Sequence, residues 1–579
     1  MKKIIKKFKL LIVMSLIGGY AFISYSFVDN YFEISKNLDI FATLFRELNI
    51  YYVDETNPGE LMKKGIDNML LSLDPYTNYY PESEIEDYRY MTTGQYGGIG
   101  ALIHQDGDHV VISEVYDGFP AQKADLRAGD KILKINNTDA VGKKTDDISK
   151  FLKGQASTVI KLVIDREGEK APIEKNINRE EIKIKSVSYS GMVSNNVGYI
   201  KLTGFIENAA NEVKDALLNL KKNPNLNSLV LDLRGNPGGL LKEAVDIVNI
   251  FNEKGTDVVS TRGKVKEWDA VNKAMNNPVD LTIPITVLVD RGSASASEIV
   301  SGSLQDLDRG VIIGQRSYGK GLVQAQRKLS YNALLKVTVA KYYTPSGRCI
   351  QALDYTHRNE DGSVQKVPDS LISAFKTKNG RIVYDGGGIA PDIAIEAQKF
   401  STVLGNLVSK NLIFNYSTKY RVAHASISPA KDFRLSDAEY DEFVTYVGSQ
   451  KFEYSTKTEK ALEDLKDDAK ADKSIDEINP DIEALKTKIT NNKKDDFKKY
   501  KPEIKQFLEE EIASRYYFQS GRLEAAMKDD PELKEAITVL NDKDRYSKVL
   551  TTIVKAEKPM YNPDKTKLKD QKKSKSSEN

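Results

Sequence analysis

The chain has 579 residues, with 85 Lys and Arg against 83 Asp and Glu, a net charge of +2 and one cysteine, Cys349. At about 150 residues per domain the length suits several domains, and 40% hydrophobic residues with 30 Tyr and 19 Phe exclude wholesale disorder. The charge balance excludes a globally basic nucleic-acid binder, and one cysteine with four histidines, none in an H-x-x-x-H spacing, leaves no disulfide framework and no basis for a zinc site. No cofactor and no metal are expected.

The N-terminus carries five lysines in its first nine residues, followed by nineteen uncharged residues, Leu10 to Val28. That run is long enough to span a bilayer, with the lysines on the cytoplasmic side. An uncleaved anchor is the expected form and a cleaved signal peptide the alternative, since no A-x-A site follows. Either form exports the remainder. Residues 29–95 read as an N-terminal helical region, broken at Asn57-Pro58-Gly59 and closed by a turn at Asp74-Pro75-Tyr76. From 96 to 180 the period shortens to that of strands (Ile99–Ile103, His109–Val115, Lys131–Ile135, Val159–Asp165), with short helices at Pro120–Leu126 and Thr145–Leu152. Residues 181–400 alternate apolar strands and helices, the pattern of an α/β layer with parallel pairing. Here the expected helices are Asn208–Leu220, Leu240–Phe251 and Ser295–Leu304. Residues 401–550 read as solvated helices around Pro480 and Pro502, and 551–579 as a disordered Lys/Ser-rich tail.

Three segments carry chemistry. Gln95-Tyr-Gly-Gly-Ile-Gly100 precedes a strand, and its glycines let backbone N–H groups converge into a nest for a carboxylate, beside an edge open to an added strand. Alone it reads first as a glycine-rich hairpin turn with no ligand. With Ser113–Ala121 and Ala124–Asn136 downstream it resembles a PDZ domain, in the circularly permuted form of bacterial proteases. That resemblance implies peptide binding through Gly97, Gly98, Ile99 and Gly100. Leu229-Val-Leu-Asp-Leu-Arg-Gly-Asn-Pro-Gly-Gly239 is a buried strand ending in a loop that only small residues can make. Such corners expose N–H groups at the C-terminal edge of a sheet, and no Gly-Lys-Ser/Thr follows to make a phosphate loop.

The third segment pairs Asp290-Arg-Gly-Ser-Ala-Ser-Ala-Ser-Glu298 with Gly314-Gln-Arg-Ser-Tyr-Gly-Lys-Gly-Leu-Val-Gln324, each leaving an apolar strand. A serine in the first helical turn lies at the positive end of the dipole, which favours developing negative charge. The Ala296 amide and a glycine amide of the 235–239 loop can serve as oxyanion donors. No histidine lies near either segment, so a lysine is the available base. A lysine, ordinarily titrating near ~10.4, serves only when desolvated.

These motifs, with Leu73-Asp-Pro-Tyr-Thr-Asn-Tyr79, Tyr343-Thr-Pro-Ser-Gly-Arg-Cys-Ile-Gln351 and Gly388-Ile-Ala-Pro-Asp392, resemble the carboxy-terminal processing proteases, the tail-specific family of serine peptidases. The resemblance implies an α/β, multidomain fold: a ClpP/crotonase-like protease core with an inserted PDZ domain, an N-terminal helical segment and a C-terminal helical extension. It implies Ser295 as nucleophile with Ser293 and Ser297 as structural neighbours, Lys320 as base and Gln324 as its orienting residue. The oxyanion hole falls to the amides of Ala296 and Gly238. Partners implied are proteins or peptides with free C-termini, the membrane at the N-terminal segment, and a second copy or a regulatory partner, with no nucleic acid. The expected place is the extracytoplasmic side of a bacterial inner membrane. The stretch Leu353–Asp385 is inserted relative to the family pattern, and the C-terminal helical region is longer than in minimal members. Two other readings are a binding scaffold with an inactive core, against which Ser295, Lys320 and Gln324 stand, and a crotonase-type acyl-CoA enzyme, against which the anchor and the inserted domain stand.

Overall fold

The structure, a computed structural model, describes residues 31–359 and 361–552. The Leu10–Val28 run and residues 553–579 lie outside them. No helix among the described residues is long and apolar enough to cross a membrane. The chain divides after Tyr79 into two compact units.

In the first unit, a helix over 31–51 leaves Tyr31, Phe32, Leu38 and Leu44 exposed. A second, Pro58–Leu71, starts where Asn57 caps the Glu60 N–H and Pro58 takes an early position that needs no donor. Asp74 then closes the chain by accepting the Tyr76 and Thr77 N–H groups, both at 2.8 Å. This is the turn expected at Asp74-Pro75-Tyr76.

The second unit contains a small β-domain, an α/β core and a helical region. The β-domain is an antiparallel sheet in the order Ala101–Asp106, His109–Val115, Lys131–Ile135, Val159–Asp165, Ile173–Asn178. Along Val159–Asp165 burial alternates with period two, placing Ile160, Leu162 and Ile164 beneath the helix Thr145–Leu152, whose Ile148 closes the core. The first strand starts at Ala101 rather than Ile99, and the short helix ends at Lys123 rather than Leu126. Two antiparallel strands, Gln95–Gly98 and Glu180–Lys183, form its stem.

The core sheet runs Val187–Met192, Val197–Leu202, Ser228–Asp232, Ile285–Val289, Val311–Gly314, Ile393–Ala394. Its first pair is antiparallel and the rest are parallel. Every residue of Ser228–Asp232 and Ile285–Val289 is buried, as strands covered on both faces require. One face packs on the helices Ala209–Leu220, Leu241–Ile250 and Ala296–Asp306. The other presents Val197, Tyr199, Val230, Leu288, Val311 and Ile313 to Leu533, Ala536, Val539 and Leu540 of the helix Pro531–Asn541. At roughly 2 kcal/mol per large buried side chain, this second face is a principal part of the core. A separate antiparallel sheet pairs Leu322–Lys328 with Leu334–Tyr343, and the latter with Asp257–Gly263. The 353–385 insertion forms two hairpins, Leu353–Arg358 with Val364–Lys366 and Ala374–Lys376 with Ile382–Tyr384.

Helices from Thr402 onward build their own core from Leu407, Ile413, Phe443, Ile504 and Leu508. Pro480 lies inside the helix Ile475–Lys494, and Pro502 opens Lys501–Met527. That last helix breaks at Tyr517–Phe518, where Phe518 takes φ 55°, ψ −153°, and its ring packs against the β-domain core.

Candidate active site

The parallel strands Ile285–Val289 and Val311–Gly314 end side by side, and the two segments singled out in the sequence leave from those ends. The first turns sharply. Asp290 accepts the Gly292 N–H at 2.9 Å and reaches across to the Gly235 N–H at 2.8 Å. Ser293, fully buried, donates to Leu233 O, and Ser297 donates to Asn236 O, so both tie this turn to the Gly-rich loop. Both flank Ser295 in this turn.

Ser295 stands between them at φ 56°, ψ −113°, a region costly for a residue with a Cβ. It precedes the helix Ala296–Asp306 as its cap rather than sitting in the first turn, which corrects the expected helix start by one residue. Strain of this kind marks sharp strand-to-helix turns that present a side chain outward. Ala296 begins the helix, and its N–H has no partner among the described residues. Gly238 lies directly opposite. A Cβ there would sit 2.8 Å from Ser295 Cβ and 2.9 Å from Ala296 N, and its φ is +100°. The structure thus brings Ser295, Ala296 and Gly238 together. The Gly238 N–H, however, is accepted by the Asn236 side chain at 2.9 Å.

Lys320, half-buried, belongs to a loop bound to the Ser295 turn through residues the sequence reading left without a role. Glu298, fully buried three residues after Ser295, accepts the N–H groups of Ser295 at 2.8 Å, Gly319 at 2.7 Å and Lys320 at 2.9 Å, and the Ser317 hydroxyl at 2.5 Å. Burial outweighs these four donors and leaves its carboxyl pushed up to about 7. The Tyr342 hydroxyl, on the strand Leu334–Tyr343, lies 2.6 Å from Lys320 O and 3.1 Å from Ser295 O. One carboxylate and one phenol therefore hold the two segments in register. Gln351 accepts the Gly321 N–H, and Ile389 N–H donates to Ser317, so the Cys349-Ile350-Gln351 and Gly388–Asp392 motifs buttress the same loop. Gln324 lies on the strand that follows, and its amide donates to Thr338 Oγ1 at 3.2 Å.

The Gly-rich loop has its own anchor. Against burial, which opposes ionisation, Lys201 and Arg234 hold the Asp232 carboxyl well below the usual range. Arg234 also pairs with Asp530 at 2.6 Å and with Glu532, both at the start of the helix Pro531–Asn541. Of these residues, Glu298 carried the one available sequence signal, the Ser-x-x-Glu spacing of a capping box.

In the β-domain, a Cβ on Gly97 would meet Gly154 O at 2.0 Å, so no side chain fits there. Gly98 pairs with Glu180 in the stem. Ile99 O accepts Ala121 N–H and Gly100 O accepts Tyr116 N–H, while the N–H groups of Ile99 and Gly100, both in buried residues, have no partner among the described residues. Unpaired buried donors call for an acceptor. The adjoining strand Ala101–Asp106 is an edge of its sheet.

Three family models match the chain: "Peptidase family S41" over residues 196–360, "PDZ domain" over 111–166, and "Probable PDZ-protease, C-terminal helical domain" over 403–540. A carboxy-terminal-processing protease of Bartonella bacilliformis is 38% identical over 325 residues, 55% of this chain and 74% of that protein. A "Probable CtpA-like serine protease" of Staphylococcus aureus is 36% identical over 318 residues, 54% of this chain and 62% of that one. Among solved structures, the photosystem II D1 C-terminal processing protease is 27% identical, covers 65% of this chain and 96% of its own, and has a TM-score of 0.35.

Proposed function

Because the chain belongs to peptidase family S41, the carboxy-terminal-processing serine peptidases, we propose that it cleaves polypeptides near their C-termini with a Ser295–Lys320 dyad. The observation that carries this reading is the pairing of the two segments through Glu298 and Tyr342, at the mouth of an open Ala296 amide.

Neutral Lys320 takes the proton from Ser295 Oγ, which attacks the scissile carbonyl. The oxyanion forms against Ala296 N–H and, once Asn236 releases it, Gly238 N–H. The C–N bond breaks as the lysine returns its proton to the leaving amine. Water, deprotonated by the same lysine, then hydrolyses the acyl-enzyme. Gln324 is assigned to orienting the lysine. The substrate tail adds a strand to the Ala101–Asp106 edge and its carboxylate takes the free N–H groups of Ile99 and Gly100, a reading supported by the open edge and the unpaired donors. A position on the extracytoplasmic face of a bacterial inner membrane belongs to the same reading, supported by the uncharged Leu10–Val28 run and the lysines before it.

The test is digestion of an unfolded protein by the chain, beside Ser295→Ala and Lys320→Ala. Both variants should fold and lose at least about 10³-fold in turnover. Activity retained in either variant removes that residue from the dyad. No cleavage by the unaltered chain, with or without an apolar C-terminal peptide added, removes the peptidase reading.

A further inference from the structure

A cleft of about 780 Å³ opens where Gly314, Gln315 and Arg316 leave the core sheet, between the edge strand Ile393–Ala394 and the last helix, Lys543–Thr551. Its apolar lining includes Ile382, Val383, Pro391 and Val549. Its charges are unbalanced. Arg381 is consumed by Asp308 and Asp392, and Arg545 by Glu535. Arg316 donates to Gly387 O at 3.3 Å. Arg291, Lys399 and Lys548, all exposed, have no ion pair or side-chain hydrogen bond among the described residues. Against these three stands Glu396, the one acid in the lining without an ion pair among the described residues, because Asp392 is taken up by Arg381, Gln305 and the Ile312 N–H.

The cleft shares its sheet edge with the dyad. Arg291 stands four residues before Ser295 and Arg316 four before Lys320, each leaving the same strand end as its partner. The residues on either side of Arg291, Asp290 and Gly292, are those that brace the Gly-rich loop. Ile395 N–H pairs inward with Gly314 O, and the outer edge of Ile393–Ala394 has no strand against it among the described residues. An extended chain can add there, with apolar side chains on the floor and anionic ones on the rim.

We propose that this cleft is a subsite for carboxylate side chains of the polypeptide being cleaved, so that acidic residues flanking the scissile bond are seated by Arg291, Lys399 and Lys548. The proposal rests on the peptidase reading and adds to it a substrate class. One wall belongs to the last helix, so the subsite is composite: the core supplies the edge strand and Arg291, and the C-terminal segment supplies Lys548.

The experiment compares two unfolded substrates identical except that the glutamates flanking the cleavage site are glutamines in one. With the unaltered chain at low salt, kcat/KM should favour the glutamate form by about fivefold, the sum of three exposed charge pairs, and the preference should fade as ionic strength rises. The Arg291→Gln, Lys399→Gln, Lys548→Gln triple variant should lose the preference, its kcat/KM for the glutamate form falling to that for the glutamine form. Equal cleavage of both substrates by the unaltered chain overturns the subsite while leaving the peptidase standing. A preference that survives in the triple variant overturns it as well. Cleavage of neither substrate overturns both.

Discussion

Ser295 and Lys320 come from loops that a free chain would let wander, and single side chains hold them together. Glu298 is the most exacting of these, a fully buried acid with four donors aimed at its two oxygens. Its folded pKa, about 7, lies above the ordinary carboxyl range, so between roughly pH 4.5 and 7 the folded chain binds a proton that the unfolded chain does not. The sign follows. This contribution to stability is complete below the ordinary glutamate pKa and is lost as pH rises through about 7. The unfolding free energy from urea titration should therefore fall across that range, by at most about 3 kcal/mol from this group. Glu298→Gln, which cannot ionise, should flatten that part of the profile, while also lowering turnover because an amide offers one acceptor oxygen in place of two. Parallel profiles for the two proteins would contradict the assignment. The sequence reading left Glu298 without a role, although the Ser-x-x-Glu spacing was a signal that could have found it. Tyr342 had no such signal, because its role depends on the pairing of Leu334–Tyr343 with Leu322–Lys328 and on where that sheet lies.

At the scale of elements, the strand ends and helix starts around the site follow from local signals: apolar runs, small-residue corners, and a serine preceding a helix. The helices Pro531–Asn541 and Lys543–Thr551 show the limit of such signals. Leu533, Ala536, Val539 and Leu540 recur at helical spacing and announce an amphipathic helix. Nothing local tells that its apolar face covers the core sheet rather than joining its neighbours from Thr402 onward. Arg234 and Asp530 meet across 296 residues of sequence, beyond the reach of any spacing argument. Their meeting has an energetic consequence: Arg234 is part-buried and keeps Asp232, so losing the two further acids costs about 1.5–3 kcal/mol, the worth of hydrogen bonds to a charged group. Asp530→Asn with Glu532→Gln should accordingly lower stability by about that amount and reduce kcat more than KM, because the loop that carries Gly238 begins at Arg234. Unchanged stability and unchanged kcat would show that Asp232 and Lys201 suffice to hold it.

Across the second unit as a whole, the helical region grips the β-domain and the core. Phe518 enters the β-domain core from a helix broken at that residue, Arg522 approaches Glu114 at 3.8 Å, and Phe414 meets His104 edge to face at 4.7 Å. The break falls at Tyr517–Phe518, with neither proline nor glycine at the kink, so no sequence signal marks it. Phe518→Ala should leave the dyad's segments paired and loosen the β-domain. Hydrogen exchange at Val110–Val115 should speed by about tenfold or more, the loss of one large apolar contact, while exchange in Ser228–Asp232 stays unchanged. Equal protection in both places would mean that the remaining contacts hold the domain alone. The helix that covers the second face of the core sheet bears on synthesis as well. A ribosome delivers the strands from Val187 to Ala394 first and Pro531–Asn541 only after the whole helical region. Until then Val197, Tyr199, Val230 and Leu288 have no cover and Arg234 lacks two of its carboxylates. A nascent chain therefore holds the segments of Ser295 and Lys320 well before the helix that covers the sheet behind them, and under the proposed dyad proteolysis would wait for Pro531–Asn541 to dock.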